Sequence, residues 1–263
     1  MKGIIYYFTG TGNNYILAKD LAAQIPGTEI RPMRLLPEDR AKLATCELIG
    51  FCVPSYYSHV PAAVKRYLEG VSFTPEQTIF TIIGCGSSRG VSTEELRERI
   101  EAGGGHVKNE YLVACPGNFI LSYGALPQIY ERTVIRLSKK KIRTIAREVT
   151  SPDIQNRLGK ALFCSEKQEP AIQKILATFP NRAAEYTVSD SCTGCGRCAA
   201  VCPVQNIRIT ENRPFFAKNC QQCMACIQWC PQHAIDYKNI SSNRKRYHHP
   251  EVTVHDLVKG AQK

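Results

Sequence analysis

The stretch YYFTGTGNNYILAKDLAAQI, residues 6–25, joins an apolar run to a helical pattern through two glycines and four hydroxyl or amide side chains. A loop after the first strand of a parallel sheet lies at the carboxyl edge, where open α/β sheets bind ligands. Glycines let a ligand approach the backbone, and the N-terminus of the next helix adds positive potential. We therefore predict a phosphate site in this loop. Its residues are Thr9, Gly10, Thr11, Gly12, Asn13 and Asn14.

The same loop lacks the features of two common nucleotide-binding motifs. It contains no Lys or Arg, so it does not match the nucleoside-triphosphate loop, which ends in Gly-Lys-Ser or Gly-Lys-Thr. Residues 13–15 provide no third glycine, which disfavours a G-x-G-x-x-G dinucleotide site. An ordinary turn between a strand and a helix remains the alternative to a phosphate site.

Short apolar runs alternate with helical patterns from residue 1 to about 115. The runs predict strands at 3–8, 29–36, 47–53, 78–84 and 111–115. The stretches between them predict helices at 13–25, 61–69 and 92–102, and later patterns predict helices at 127–149 and 168–178. Continuous apolar strands separated by helices indicate an α/β fold with a parallel sheet covered on both faces.

The 13 cysteines are concentrated in an internal repeat near the C-terminal end. Eight of them lie in CTGCGRCAAVCP (192–203) and CQQCMACIQWCP (220–231), whose cysteines are offset by 28 residues. Both halves match C-x2-C-x2-C-x3-C-P, a run in which three cysteines hold one [4Fe–4S] cluster and the fourth ligates the other. One predicted ligand set is Cys192, Cys195, Cys198 and Cys230. The second predicted set is Cys220, Cys223, Cys226 and Cys202.

Structural zinc is the alternative for these cysteines. A zinc site usually takes two separated C-x2-C pairs, which would leave the middle thiolate of each triplet without a role. The apolar segments NIRI (206–209) and AIDY (234–237) are expected to pack over the clusters. The remaining cysteines are expected to act as small hydrophobic residues. They are Cys46, Cys52, Cys85, Cys115 and Cys164.

TGTGNN after IIYYF resembles the phosphate loop of flavodoxins, [ST]-x-T-G-N-[ST], with Asn14 in place of the last hydroxyl residue. Together with the cysteine repeat, this resembles the family of fused flavodoxin and two-cluster ferredoxin proteins of anaerobes, including the segment RYHHPEV (246–252). The resemblance implies a flavodoxin-like, doubly wound parallel sheet of order 2-1-3-4-5 that binds FMN. A small α+β ferredoxin domain with two [4Fe–4S] clusters would follow it.

The predicted domain boundary lies in FPNRAAEYTVSDS (179–191), which is rich in small polar residues. We expect a flavodoxin-like FMN-binding domain with a C-terminal helical extension at 1–182 and a ferredoxin domain at 183–240. Residues 241–263 are expected to form a polar, basic tail.

The loops after the third and fourth strands are expected to contact the flavin ring. The first, PSYYSHVP (54–61), supplies Pro54, Ser55, Tyr56 and Tyr57, and the resemblance favours Tyr56 for stacking. The second, GCGSSRG (84–90), supplies Gly84, Cys85, Gly86 and Ser87. It lacks the second aromatic residue of many flavodoxins, so one ring face is either open or covered by the ferredoxin unit, a substrate or a partner.

Several further residues are expected near this edge of the sheet. CPGNF (115–119) could bring Asn118 and Phe119 to the flavin, or could form only a structural turn. His59 could donate a proton there, although a lone histidine in a loop is more often a polar surface residue. A catalytic role for the Cys85 or Cys115 thiol is disfavoured.

These features predict electron transfer between two [4Fe–4S] clusters and an FMN, and on to a redox partner or acceptor. The alternative is a flavin-dependent reductase of a small molecule, fed by the clusters. A redox sensor that contacts nucleic acid is a weaker hypothesis, because no stacking or recognition motif accompanies the charge. Whether the protein is itself an enzyme stays open.

The net charge of +11 predicts a redox partner with an acidic surface. No apolar run approaches the roughly 18 residues needed to span a bilayer, and the first residues do not resemble a cleavable leader. We therefore expect a cytoplasmic protein without a membrane span, where reducing conditions favour clusters over disulfides. Oxygen-sensitive clusters suggest an anaerobic cell. The sequence indicates no oligomeric state.

Overall fold

The computed structural model describes residues 1–33, 37–159 and 169–259. Its strands are β1 (Gly3–Tyr7), β2 (Thr28–Pro32), β3 (Leu48–Pro54), β4 (Thr78–Cys85), β5 (Val107–Ala114), β6 (Tyr186–Val188), β7 (Ile207–Thr210), β8 (Arg213–Phe216) and β9 (Ile235–Tyr237). Its helices are α1 (Asn13–Ala22), α2 (Pro37–Ala44), α3 (Ala62–Leu68), α4 (Ser92–Ala102), α5 (Gln128–Val149), α6 (Glu169–Thr178), α7 (Arg197–Ala200), α8 (Ala225–Gln228) and α9 (Val254–Lys259). A 3-10 helix (Phe179–Glu185) connects α6 to β6.

Strands β1 to β5 form one parallel sheet with the order β2-β1-β3-β4-β5. Ile5 of β1 pairs with Ile30 of β2 on one side and with Gly50 of β3 on the other. The chain thus moves to one side of β1 and then returns to the other, which is the flavodoxin-like arrangement and leaves a crevice at the carboxyl edge. The predicted fold class and strand order are confirmed.

The sheet is covered on both faces, because successive residues of a strand point to opposite sides. Ile5 belongs to a core that includes Leu17 of α1 and Ile145 of α5. Ile4 belongs to the opposite core, which includes Val64 of α3. Each fully buried Leu or Ile stabilises the fold by about 1.5–3 kcal/mol. All residues of β1 and β3 are buried as a result.

One helix was not predicted and one strand begins earlier than predicted, because the residues concerned are polar. α2 has a strongly charged sequence, PEDRAKLA, with little apolar periodicity. β5 begins four residues before the predicted strand at 111–115. Its polar start is buried but paired, since Asn109 donates to the Ile154 carbonyl (3.1 Å) and Arg97 donates to Glu110 (2.7 Å). Predicted strand positions 34–36, helix position 168 and Cys164 lie outside the described residues.

Residues 186–237 form a smaller unit, the cysteine unit, with the antiparallel pairs β6-β9 and β7-β8. Ile207 of the NIRI segment and Ile235 of the AIDY segment are buried in one core with Cys198, Cys202 and Cys226. The two apolar segments therefore pack beside the cysteines, as the sequence predicts.

The two halves of the cysteine repeat share their backbone conformation as well as their spacing. Residues with positive φ occur in pairs offset by 28 positions, namely Gly194 and Gln222, Gly196 and Met224, and Gln205 and His233. Glycine adopts this conformation freely, whereas a side chain such as that of Gln222 or Met224 adopts it at a cost of about 1–3 kcal/mol. At two of these positions the second half therefore carries a side chain where the first half has a glycine.

The C-terminal segment, predicted as a polar tail, is instead packed against the first part of the chain. Tyr247, His249, Val252 and Leu257 are buried, with Val252 and Leu257 in the core beside α1. The charged stretch before them hides this pattern in the sequence, because the apolar residues are too widely spaced to show a helical period. Every helix in the described ranges is too short or too polar to cross a bilayer.

Candidate functional site

A cavity of about 260 Å³ lies at the carboxyl edge of the sheet. Loops after β3, β4 and β5 form one side of it through residues 55–58, 85–88 and 117–119. The cysteine unit forms the other side through residues 222–224. The crevice expected from the strand order therefore lies between the two parts of the chain. The sequence alone did not reveal this position.

Most of the predicted ring contacts line this cavity. They are Ser55, Tyr56, Tyr57, Cys85, Gly86, Ser87 and Asn118, together with Phe119. Pro54 and Gly84 are register partners at the ends of β3 and β4 and are not part of the described cavity wall. Cys115 is buried and also lies outside the described wall.

Tyr56 and Tyr57 point to different neighbours within the wall. The Tyr56 ring meets Phe8 edge-on, with centroids 6.4 Å apart, and burial raises the pKa of its hydroxyl. The Tyr57 ring meets Phe119 and Phe179 edge-on at 5.3 and 5.2 Å. Both rings are therefore held in place by other aromatic rings.

His59 lies behind this wall and is completely buried, unlike the surface position considered more frequent for such a residue. Its Nδ1 lies 2.9 Å from Glu95 Oε1, which also accepts a hydrogen bond from Lys65. The other carboxylate oxygen, Oε2, accepts a hydrogen bond from Val60 N (2.8 Å). Backbone hydrogen bonds in both directions link His59 to Tyr56. His59 therefore orients the tyrosine loop, and it is not among the described residues that line the cavity.

The predicted phosphate loop, residues 9–14, is buried and held by its own hydrogen bonds. Gly12 N donates to Thr9 Oγ1 (3.1 Å), and Asn118 Nδ2 donates to Thr11 Oγ1 (2.6 Å). Asn13 Nδ2 donates to the Pro116 carbonyl (3.2 Å). These contacts join the loop to the cavity wall through Asn118. Residues 9–14 themselves are not among the described residues that line the cavity.

Asn14 connects the phosphate loop to the neighbouring strands. Its Oδ1 accepts a hydrogen bond from Cys52 Sγ (3.5 Å), and its side chain fills the space that a Cβ at Gly84 would occupy. Gly84 is therefore required for the close approach of Asn14 to β4, which is a structural role different from the predicted ring contact.

The C-terminal segment covers the phosphate loop. Tyr247 Oη donates to Asn13 Oδ1 (2.7 Å), and His249 N donates to the Thr11 carbonyl (2.8 Å). Gly12 has a φ of +93° and lies so close to Val252 that a Cβ would come within 3.1 Å of its side chain. The segment therefore shields the loop from solvent.

The structure brings the eight repeat cysteines into two groups. Cys192, Cys195, Cys198 and Cys230 line one cavity. The Cys198 thiol interacts electrostatically with the thiols of the other three. The thiol of Cys226 interacts electrostatically with those of Cys223, Cys220 and Cys202, and more weakly with that of Cys198 of the first group. These are the two predicted sets, with the fourth cysteine exchanged between halves.

No His, Cys, Asp or Glu group within residues 1–33, 37–159 and 169–259 is arranged to hold a single metal ion. In a [4Fe–4S] cluster each thiolate binds its own iron, so the sulfurs surround a cavity instead of converging on one ion. Backbone N–H groups support such a role. Asn206 N donates to Cys202 Sγ (3.2 Å), and Ala234 N donates to Cys230 Sγ (3.3 Å).

Burial disfavours the free thiolate of Cys198 in the first group and of Cys226 in the second. It raises the pKa of the Cys198 thiol to about 11 and that of the Cys226 thiol well above its usual value. A metal that coordinates such a thiol removes its proton, so these cysteines are suited to bound iron rather than to free thiolate chemistry.

Residues 191–235 match the model of a 4Fe–4S dicluster domain. The strand order assigns the other part of the chain to the flavodoxin-like folds. The chain joins a flavodoxin-like fold to a 4Fe–4S dicluster domain. Together the two domains support an iron–sulfur flavoprotein that acts in electron transfer.

Several solved structures match part of this chain at low identity. A flavodoxin from the domain Archaea is 16% identical, with a TM-score of 0.37, over 57% of this chain and 100% of its own. The two-electron reduced flavodoxin of Megasphaera elsdenii is 18% identical, with a TM-score of 0.37, over 52% of this chain and 98% of its own. The Trp repressor binding protein of Bacillus subtilis is 15% identical, with a TM-score of 0.42, over 58% and 99%. No curated protein sequence matches the fusion.

The ferredoxin-type domain is fastened directly to the phosphate loop of the flavodoxin-like domain. Trp229 Nε1 donates to the Gly10 carbonyl (2.9 Å), and a Cβ on Gly10 would lie 2.7 Å from the Cys223 carbonyl oxygen. Gln228 Nε2 donates to the Asn118 carbonyl (2.9 Å). The second cysteine group therefore lies beside the cavity and the phosphate loop.

Gly10→Ala is expected to disturb this contact, because the added methyl group would collide with the Cys223 backbone. Overpacking of this kind costs about 1–3 kcal/mol, which anaerobic chemical denaturation of the cluster-loaded protein would measure as a lower free energy of unfolding. Gly159→Ala is the matched control, since a Cβ there meets nothing within 4 Å. Equal stability of the two variants would contradict the close contact at Gly10.

The sequence did not predict several residues of the cavity wall. Ser58, Ser88 and Gly117 lie within the predicted loops but were not among the predicted contacts, and Tyr123 lies beyond CPGNF (115–119). Gln222 and Met224 come from the ferredoxin-type domain. The one available signal was the difference between the two halves of the repeat, since both residues replace glycines of the first half.

Proposed function

We propose that this protein transfers electrons between two [4Fe–4S] clusters and an FMN, and on to a redox partner. The observation that carries the proposal is the shared cavity, whose wall contains Tyr56 and Tyr57 of the flavodoxin-like domain and Cys223 of the ferredoxin-type domain. A cysteine of the second group therefore faces the same space as the predicted flavin contacts.

The proposed cluster ligands are the two exchanged sets. Cys192, Cys195, Cys198 and Cys230 would hold the first cluster. Cys202, Cys220, Cys223 and Cys226 would hold the second. The N–H groups aimed at these sulfurs would stabilise the charge on the thiolates, which is one way in which a protein sets a cluster potential.

The proposed flavin site combines the phosphate loop with the cavity. The first N–H groups of α1 have no acceptor within the helix, and they would bind the phosphate together with Thr11 and Asn14. The loops at 55–57 and 85–87 would contact the ring, with Asn118 joining the two regions. When bound, the clusters carry one electron each and the flavin accepts one or two.

The chain's own residues position these groups and exclude water. The hydrogen bonds of His249 and Tyr247 hold the C-terminal segment over the phosphate loop. Burial lowers the pKa of the His249 imidazole to about 4, so this histidine stays neutral at neutral pH. The contact between Trp229 and Gly10 keeps the ferredoxin-type domain against the cavity.

Electrons are proposed to arrive at the first cysteine group. Cys195 is the exposed cysteine among the eight, whereas Cys202 and Cys226 of the second group are buried. The second group lies between the first group and the cavity wall through Cys223. The fusion would therefore form an ordered route from surface to flavin.

The proposed partner has an acidic surface. The net charge is +11, and basic residues of α5, including Arg136, Lys140 and Arg143, line an open groove beside Pro250. Exposed charges of one sign speed encounters with an oppositely charged protein.

Anaerobically reconstituted protein tests the proposal. We expect flavin absorbance and about eight irons per chain, because each cluster contains four. Reduction by a low-potential, one-electron ferredoxin should bleach the flavin. Zinc in place of iron, or clusters that reduce without any bleaching of a bound flavin, would reject the proposed function.

The reductase alternative is supported by Tyr123, which belongs to the cavity wall and is 39% exposed, so the cavity reaches the surface there. A comparison of reoxidation rates separates the two functions. Faster reoxidation of the photoreduced protein by small quinone or nitro acceptors than by an acidic redox protein would favour the reductase.

A further inference from the structure

The Gln222 side chain is the least satisfied polar group of the cavity wall. Gln222 is only 4% exposed, yet neither its Nε2 nor its Oε1 has a hydrogen-bond partner among residues 1–33, 37–159 and 169–259. A buried amide without partners is costly, so native structures seldom contain one. Gln222 is one of the residues that line the cavity, where a bound ligand could satisfy its amide.

The internal repeat offers a comparison within the same chain. Gly194 stands at the equivalent position of the first half, which does not face the flavin cavity, and both residues have positive φ, +67° and +53°. Glycine is the unstrained choice for this conformation. Only the half beside the cavity carries an amide there, although the backbone would favour glycine. The side chain therefore serves something that the cluster loop by itself does not require.

The backbone of Gln222 already belongs to the second cysteine group. Its N–H donates to Cys220 Sγ (3.4 Å), and the residue precedes Cys223, which also lines the cavity. One residue thus has its N–H directed at a predicted cluster ligand and also belongs to the wall of the predicted flavin site.

We propose that the Gln222 amide hydrogen-bonds the polar edge of the flavin ring. This inference rests on the proposed FMN site. The pyrimidine edge of the ring presents carbonyl acceptors beside an N–H donor, and an amide offers one acceptor and two donors at matching spacing. The ferredoxin-type domain therefore supplies a flavin-binding residue, and the flavin helps to hold the two domains together.

Titration of FMN into cluster-loaded protein tests the role of the amide. Gln222→Leu removes both hydrogen-bonding atoms at similar volume, and we expect the Kd for FMN to rise about 3- to 10-fold. The absorbance bands of the bound oxidised flavin should also shift. Gln222→Gly, which copies Gly194, should weaken binding similarly while keeping the cluster loop unstrained.

Gln205→Leu is the matched control, because Gln205 also has positive φ in the ferredoxin-type domain but is exposed and outside the cavity wall. It should leave the Kd and spectrum unchanged. Iron content and the electron paramagnetic resonance of the reduced clusters should be the same in all three variants.

Thermal unfolding of the cluster-loaded protein without FMN supplies a second readout. Leucine should not lower the midpoint, since it replaces an unpartnered buried amide, whereas the stabilisation by added FMN should be smaller than in the wild type. Wild-type protein that binds no FMN would overturn the proposed function. Wild-type binding with an unchanged Kd and spectrum in Gln222→Leu would overturn the role of Gln222 alone.

Discussion

Cys202→Ala is expected to remove the cluster of the second half, although Cys202 belongs to the first half of the repeat. The Cys202 thiol interacts electrostatically with those of Cys220, Cys223 and Cys226. Without it the second cluster loses one of four ligands, so iron should fall from about eight to about four per chain. Because this group is the one beside the cavity, reduction of the flavin by an external one-electron donor should slow by at least about tenfold.

Cys230→Ala is the mirror-image control. Cys230 lines the cavity of Cys192, Cys195 and Cys198, so its loss should remove the first cluster and leave the second beside the flavin. Iron analysis and electron paramagnetic resonance of each variant would identify the surviving cluster. Loss of the first-half cluster in Cys202→Ala would contradict the exchange of ligands, because each half would then bind its own cluster with its own four cysteines.

Ending the chain after Arg246 is expected to destabilise the flavodoxin-like domain and to weaken FMN binding. The truncation exposes the surface that Tyr247, Val252 and Leu257 bury, and each such side chain contributes about 1.5–3 kcal/mol. The free energy of unfolding should therefore fall by roughly 5 kcal/mol, with area-based values as upper estimates. The Kd for FMN should rise at least about tenfold, because the phosphate loop loses the contacts to Asn13 and Thr11.

Ending the chain after Lys259 is the control, since it keeps every described residue of the segment. Tyr247→Phe separates stability from binding more finely, because it removes one hydrogen bond to the buried Asn13 Oδ1 and should cost about 1–3 kcal/mol. Denaturation curves and FMN titrations give both quantities. An unchanged Kd and midpoint after truncation at Arg246 would show that the segment does not support the loop.

Much of the site could be predicted because its signals are local. The spacing from Cys192 to Cys202, repeated from Cys220 to Cys230, predicted both groups, since three thiolates on one short loop must meet around one cavity. The glycines of the loop at 9–14 predicted a buried turn at the end of β1, which the structure contains.

Other parts of the site could not be predicted because they depend on distant contacts. Asn13 was expected to face a phosphate, but in the structure its amide bonds Pro116 and Tyr247, more than 100 positions away in sequence. The C-terminal segment looked like a polar tail because its buried residues have no periodic pattern of their own. Their burial is created by the surface of α1 and the phosphate loop.

The sequence by itself determined the parallel sheet and the grouping of the eight cysteines, because apolar periodicity and cysteine spacing act within a few turns of the chain. Only the tertiary structure decided that Gln222, Cys223 and Met224 meet the tyrosine loop across one cavity, and that residues 247–257 cover the phosphate loop. Such contacts depend on how two domains and a distant segment fit together. No local pattern encodes that fit, since each surface becomes complementary only after the other has folded.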